Sequence, residues 1–148
     1  MSRAGIRLPK ALAGLALVVM AAGFAGHAGA QDARKISVEL NSAQSEGEGC
    51  RISFVFQNGL EARIEELAVE VVLFDDKNKV SEFLLMKTGP LPPGKVRVRQ
   101  FELKARPCAA ISRLLVNDVK ECKGEALSPN VCLEALSPKS TASIRLEM

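Results

Sequence analysis

The sequence has no tryptophan and no tyrosine, and its single histidine is His27. His27 lies in an N-terminal segment that we expect to be removed on export, so the mature chain would hold no imidazole. Ser-His-Asp and Cys-His nucleophilic sites, and metal sites with a histidine ligand, need that side chain as a base or a ligand. These site classes are therefore excluded, and we predict a protein that is not an enzyme and that has no catalytic residues, cofactor or metal.

The first thirty residues have the features of a secretory signal peptide. Basic residues precede an apolar run, ALAGLALVVMAAGFAG, and Ala28 and Ala30 occupy the small-residue positions before Gln31. The apolar run is short for a transmembrane helix and is followed at once by polar sequence. We expect cleavage after Ala30, which makes 1–30 the signal peptide and 31–148 one exported domain with no membrane span. The expected location is the periplasm, with secretion as the alternative.

Cleavage would change the charge balance. The removed segment holds three basic residues and no acidic one, so 118 of the 148 residues would remain and the net charge would fall from +3 to zero. A neutral protein gives no support to binding of nucleic acid or membrane by the molecule as a whole. Any charge that matters for function must therefore be local.

Short runs of alternating apolar and polar residues recur along the remaining chain, and a period of two indicates half-buried strands. The seven runs are Lys35–Leu40, Arg51–Gln57, Leu67–Phe74, Val80–Met86, Lys95–Leu103, Ile111–Val119 and Ala142–Glu147. Turn residues separate them, and no long helical period interrupts the series. This pattern predicts an all-β fold, an immunoglobulin-like antiparallel β-sandwich of about seven strands. In the fifth run the apolar parity changes between Val98 and Phe101, which predicts a β-bulge near Arg99–Gln100.

The stretch Cys50–Leu103 resembles the FxLYD-type domains of bacterial envelope proteins. The residues that carry the resemblance are Asn58-Gly59, Val71-Val72-Leu73-Phe74-Asp75, Leu91-Pro92-Pro93-Gly94 and Phe101. Val71 stands where the family motif has Phe, and Phe74 stands where it has Tyr. The resemblance covers under half of the mature chain. It implies an immunoglobulin-like sandwich on an exported protein, with no assigned catalysis.

Four cysteines in an exported domain indicate two disulfides, and the strand pattern selects among the three pairings. Cys108 and Cys122 flank the sixth strand, so an extended span of about 45 Å would separate them. Two cysteines can form a disulfide only if their Cα atoms lie within about 7 Å of each other. If strand directions alternate, Cys50 lies beside Cys108 at one end of the sandwich. We therefore predict Cys50–Cys108, which ties the sheets together, and Cys122–Cys132, which closes a short loop. The spacing does not fit a Cys-x-x-Cys redox pair or two zinc knuckles.

A run of alternating cations in the fifth strand suggests an interaction face. Lys95, Arg97 and Arg99 alternate with Val96 and Val98, so we expect the three cations to share one solvent-facing side. The first and second strands add two more cations to that face. The predicted face is therefore Lys35, Arg51, Lys95, Arg97 and Arg99, against Glu39 and Glu82. The favoured interpretation is an ordinary solvated strand whose charges discourage edge aggregation, and the competing one is a docking face for an acidic protein surface or an anionic envelope polymer.

These observations favour a non-catalytic exported β-sandwich that binds or assembles with another envelope component. One alternative is a histidine-independent hydrolase using carboxylates or a serine. Glu65-Glu66 and Glu121 with Glu125 could be considered as catalytic carboxylate pairs, but they adjoin loops and we expect them to be solvated surface acids. A second alternative is a purely structural accessory module. The segment FDDKNK, at 74–79, has oxygen donors but not the spacing of a calcium loop, and we predict a polar hairpin tip there.

Overall fold

The computed structural model describes residues 34–148, which form two four-stranded sheets packed face to face. The predicted signal peptide, 1–30, lies outside the described residues. The strands are β1 (Ile36–Glu46), β2 (Gly49–Asn58), β3 (Glu66–Asp75), β4 (Val80–Lys87), β5 (Val96–Leu103), β6 (Ile111–Lys123), β7 (Leu136–Ser140) and β8 (Arg145–Glu147), with a 3-10 turn at Cys108–Ala110 and one helix, α1 (Pro129–Ala135). Sheet 1 has the order β5-β2-β1-β7, and sheet 2 has the order β4-β3-β6-β8.

The core lies between the sheets and is built by the alternation seen in the sequence. Every second residue of β2 and of the first half of β1 points inward and is buried, and Val69, Val71 and Leu73 of β3 face them from sheet 2. The rings of Phe54 and Phe101 meet edge to face, with centroids 6.1 Å apart. The predicted β-sandwich is confirmed, and it has eight strands.

Two parts of the fold differ from the prediction. The C-terminal edge strands are parallel to their neighbours, with β7 beside β1 and β8 beside β6, and β7 was not predicted. Its sequence, LSPKS, has no apolar alternation, and Pro138 is tolerated because β7 is an edge strand. Helix α1 was also not predicted, although Ser128 accepts a hydrogen bond from the Val131 N–H and Pro129 opens the first turn.

The predicted bulge near Arg99–Gln100 is wrong. Strand β5 pairs with β2 in an unbroken register from Val96 to Leu103. The parity changes because Val96 and Val98 face solvent, whereas Phe101 and Leu103 face the other sheet. Two exposed valines, not an extra residue, produce the irregular pattern.

One buried side chain joins the loops at one end of the sandwich. Asn58 is fully buried, and its Nδ2 donates to the carbonyls of Ala62 at 2.9 Å and Leu91 at 2.8 Å. Its Oδ1 accepts from the Leu60 N–H at 2.9 Å. The amide therefore links the loop after β2 to the connection between β4 and β5, and a buried polar group that is satisfied in this way fixes both backbones.

Both disulfides have the predicted pairing. Cys50–Cys108 joins β2 of sheet 1 to the turn that precedes β6 of sheet 2, and Cys122–Cys132 joins β6 to α1. Two disulfides fit an oxidising, exported location. Within 34–148, no helix has the length and apolar character needed to cross a bilayer.

The two disulfides should contribute unequally to stability. Cys50–Cys108 spans 58 residues and Cys122–Cys132 spans 10. Loop-closure entropy then predicts that the Cys50→Ala/Cys108→Ala pair lowers the free energy of unfolding by about 4 kcal/mol, and the Cys122→Ala/Cys132→Ala pair by about 3 kcal/mol. Urea denaturation of the exported protein measures both. A larger loss from the second pair would show that the packing of α1 on β6 matters more than loop closure.

Candidate functional site

Strands β4 and β5 are the edge strands on one side of the sandwich, and most of the exposed large apolar side chains lie on them. Val80, Phe83 and Leu85 of β4 are 54%, 60% and 49% exposed, and Val96 and Val98 of β5 are 48% and 55% exposed. Elsewhere in the described chain, the large hydrophobic residues with comparable exposure are Val131 and Met148. We call these five residues, with the arginines described below, the β4–β5 side.

One exposed residue of β4, Phe83, continues an apolar row across the outer face of sheet 2, whereas Leu85 lies opposite Glu70. Phe83 lies opposite Val72 of β3, and Val72 lies opposite Leu115 of β6. Val72 is only 3% exposed, and Leu115 is half-buried. The row is therefore continuous from the sheet centre to its edge.

An arginine lies between this row and the hairpin that joins β3 to β4. The Arg113 guanidinium carbon lies 3.6 Å from the centroid of the Phe74 ring. Arg113 also donates to Asn78 Oδ1 at 2.9 Å and to Glu147 Oε2 at 3.2 Å. A guanidinium over an aromatic face is stabilised by the ring quadrupole. Arg113 thus fixes the hairpin and β8 against β6, and its charge is already paired.

The backbone of β4 has one free side. The Thr88 N–H donates to the Leu67 carbonyl at 3.0 Å, and Lys87 lies opposite Ala68 in the same register. In an antiparallel pair, successive residues direct their N–H and C=O groups alternately towards and away from the neighbour. Phe83 and Leu85 therefore direct these groups away from β3, where the described chain supplies no partner strand.

Arg97 and Arg99 do not face solvent as predicted, because both point inward from β5 and bridge to the end of β4. Arg97 Nη2 donates to the Pro90 carbonyl at 2.9 Å. Arg99 donates from Nε to the Lys87 carbonyl at 3.1 Å and from Nη2 to the Thr88 carbonyl at 2.6 Å. We call these two side chains and the backbone of 87–90 the arginine seam.

A glycine forms the turn that the two arginines contact. Gly89 has a φ of +66°, a conformation that favours glycine. A Cβ there would lie 3.5 Å from Arg99 Nη2 and 4.0 Å from Arg97 Nη1. The arginines therefore lie directly against the backbone of the turn. Neither forms an ion pair with a carboxylate of the described chain, so the seam carries net positive charge.

The remaining members of the predicted basic face do not join the seam. Arg51 lies on the outer face of sheet 1, where it forms ion pairs with Glu102, at 3.0 Å, and with Glu46. Lys35 is exposed before β1, and Lys95 is exposed before β5. The prediction that the five cations share one solvent face is wrong, because alternation in β5 places its valines outside and its arginines inside.

Three of the four candidate catalytic carboxylates form ion pairs, and the fourth, Glu125, lines a cavity at one end of the sandwich. Lys123 Nζ lies 3.2 Å from Glu66 Oε2, and this contact lowers the pKa of Glu66 below its ordinary value. Glu65 pairs with Arg63 at 2.9 Å, and Glu121 pairs with Lys87 at 3.6 Å. A glycosidase acid needs a raised pKa, so the lowered pKa of Glu66 opposes that role.

The segment 74–79 forms the polar hairpin tip between β3 and β4. Asp75 Oδ1 accepts from the backbone N–H groups of Lys77 at 3.0 Å and Lys79 at 2.8 Å. The carboxylate is therefore used as a turn cap. No group of three or more His, Cys, Asp or Glu residues with a metal-binding arrangement occurs within 34–148.

Two cavities lie at the ends of the sandwich, away from the apolar row. A cavity of about 210 Å³ borders Cys50, Arg51 and Glu102. A cavity of about 390 Å³ borders Leu60, Leu127 and Val131. Neither brings together an acid, a base and a nucleophile.

Comparison with known proteins supports the fold only. No family model matches the chain, and no curated protein matches it by sequence. A solved structure of IrmA from Escherichia coli is similar to this chain, with a TM-score of 0.53 and 15% sequence identity. The match covers 71% of this chain and 91% of that chain. The resemblance to FxLYD-type domains stays a prediction.

Sequence reasoning did not identify Phe83 and Leu85 as candidate site residues. A signal for them was present, because the run Phe83-Leu84-Leu85-Met86 is apolar at four successive positions. A strand with apolar residues on both faces is covered on both faces or exposes one of them. Here Met86 is buried between the sheets, and Phe83 and Leu85 are exposed.

The seam should stabilise the fold. Arg99→Met leaves the Lys87 and Thr88 carbonyls without these donors, so we expect the free energy of unfolding to fall by about 1–2 kcal/mol. Lys104→Met is the matched control, because Lys104 is an exposed cation just after β5, and it should change stability by less than about 0.5 kcal/mol. Urea denaturation compares the two. Equal effects would mean that Arg99 acts only as a surface charge.

Proposed function

We propose that this chain is an exported, non-catalytic binding module that associates with another envelope component through its β4–β5 side. The observation that carries the proposal is the exposure of Phe83 and Leu85 on the outer face of sheet 2, where Phe83 extends an apolar row through Val72 and Leu115 to the unpaired edge of β4. Scattered apolar residues are normal on a protein surface, but a contiguous group with a polar rim is typical of an interaction site.

The chemistry of this side favours a protein partner over an anionic polymer. A polymer would be held by exposed cations that are free to follow its charges. Arg97 and Arg99 instead donate to backbone carbonyls, and the most exposed side chain on this side is Phe83. Apolar and aromatic residues near arginine are the composition of protein interfaces.

The expected compartment is the periplasm, with secretion as the alternative. The N-terminal segment has the pattern of a cleaved signal peptide, and both disulfides need an oxidising environment. A partner in that compartment would meet the folded, oxidised domain. The purely structural alternative is not favoured, since a passive module has no need of the exposed row on β4.

Site-specific photocrosslinking in cells that export the protein tests this proposal. A photoreactive phenylalanine analogue at Phe83 should give a discrete crosslinked species of higher mass. The same analogue at Lys139 is the control, because Lys139 is exposed on β7 at the opposite edge of sheet 1.

Identification of the crosslinked protein by mass spectrometry would name the partner. The double variant Phe83→Ser/Leu85→Ser should abolish its capture, with little loss of stability because both side chains are exposed. No discrete product at Phe83, or the same products at both positions, would contradict the proposal.

A further inference from the structure

We propose that the partner supplies an extended segment that pairs with the free edge of β4 as a fifth strand of sheet 2, with acidic residues where it meets the arginine seam. This inference rests on the proposed function and specifies how the partner binds. Strand addition of this kind obtains affinity from backbone hydrogen bonds and specificity from alternate side chains.

The backbone of β4 is the first support. The N–H and C=O groups of Phe83 and Leu85 point away from β3, and no strand of the described chain covers them. Natural proteins usually protect long sheet edges with charges, proline or a covering segment. The central residues of β4 carry no such protection on their outer face, where the side chains are Phe83 and Leu85.

The open part of the edge has defined limits. Arg99 already donates to the Lys87 carbonyl, so the edge is closed at that end. At the other end, the hairpin tip begins before Val80. The register of β3 and β4 also shifts between Glu82 and Val80, so the regular open stretch is residues 82–86, which is enough for an added strand of about five residues.

Side chains on the outer face set the pattern of the added strand. Residues opposite one another in an antiparallel pair point to the same face. A partner residue opposite Phe83 would therefore extend the row formed with Val72 and Leu115. Leu85 lies opposite Glu70, which forms an ion pair with Lys120 at 3.4 Å. A segment with an apolar residue at every second position matches the spacing of Phe83 and Leu85 on β4.

The positive charge of the arginine seam sets the remaining requirement for the added strand, an acidic residue at its end. Arg97 and Arg99 have no carboxylate partner in the described chain and lie where the open stretch ends at Lys87. Glu82, the nearest acid on β4, forms an ion pair with Arg106 at 3.8 Å. An acidic residue at the end of the added strand would meet this uncompensated positive charge.

Strand β5 also has a free edge, but its outer face fits a strand less well. The Asn58 N–H donates to the Lys95 carbonyl, so by alternation Val96 and Val98 direct their backbone groups away from β2. The cross-strand row from Val98 passes through Val55 and ends at Glu39, which pairs with Lys139 at 2.9 Å. The apolar surface beside β5 is therefore shorter than the row beside β4.

A labelled ten-residue peptide tests the inference by fluorescence anisotropy with the exported protein. The peptide has two aspartates at each end of a six-residue alternation of valine and threonine. It should bind, and a matched peptide with lysines in place of the aspartates should bind several-fold more weakly at low salt, with the difference decreasing as salt rises.

Protein variants separate backbone pairing from side-chain packing. Leu85→Pro removes the outward N–H and leaves the bonds to β3 in place, whereas Leu85→Ala removes the side chain and keeps the N–H. Leu85→Pro should bind the peptide about tenfold more weakly than Leu85→Ala. Val98→Pro is the matched control on β5 and should bind like the unmodified protein.

Modified peptides give the same test without any change in the protein. N-methylation of the valines, which pair with Phe83 and Leu85, should abolish binding, whereas N-methylation of the threonines should not. Equal loss in Leu85→Pro and Leu85→Ala, equal loss with both methylated peptides, or weaker binding by Val98→Pro alone would overturn strand addition at β4. Absence of binding by the aspartate peptide would also overturn it, and a specific crosslink at Phe83 would then still support the proposed function.

Discussion

Two open sheets packed face to face leave four strand edges, and each edge carries backbone groups that need a partner or solvent. The four edges differ in the length of the strand and in the number of backbone groups left unpaired. On one side the edges are short, since β7 has five residues with a proline and β8 has three. On the other side they are long, with eight residues in each of β4 and β5. The functional proposal concerns this second side because the unpaired backbone is concentrated there.

The arginine seam joins the long edges without pairing them. Arg97 and Arg99 reach from β5 to carbonyls at the end of β4 and in the turn that follows it, so they stabilise the junction between the sheets and position positive charge beside the free part of β4. The same side chains thus have a structural role and an electrostatic one. Neutral substitutions at both positions should therefore lower stability as well as binding, contrary to the expectation for a solvent-exposed basic face.

The period of two in the sequence was enough to predict most of the fold. Where a strand has one buried and one polar face, as β1 and β2 do, the alternation identifies both the strand and its core residues. Both disulfides could also be predicted, because strand direction places Cys50 near Cys108 and separates Cys108 from Cys122.

The same reasoning failed where side chains depart from the usual preference. Val96 and Val98 were assigned to the core and the arginines to solvent, because a sequence does not show that backbone carbonyls across the sandwich will accept from Arg97 and Arg99. Strand β7 could not be predicted because it is defined by its pairing with β1, which lies 100 residues earlier in the chain. Ser140, for example, pairs with Leu40. The apolar run from Phe83 to Met86 is visible in the sequence, but the row that Phe83 forms with Val72 and Leu115 is visible only when the register of three strands is known.

Amide hydrogen exchange of the isolated exported protein tests most directly whether the edge of β4 is free. The N–H groups of Leu84 and Met86 point towards β3, and those of Phe83 and Leu85 point away from it. The account predicts that the Phe83 and Leu85 amides exchange at least about tenfold faster than the Leu84 and Met86 amides. Equal protection of all four amides would show that the edge is already covered and would contradict the account.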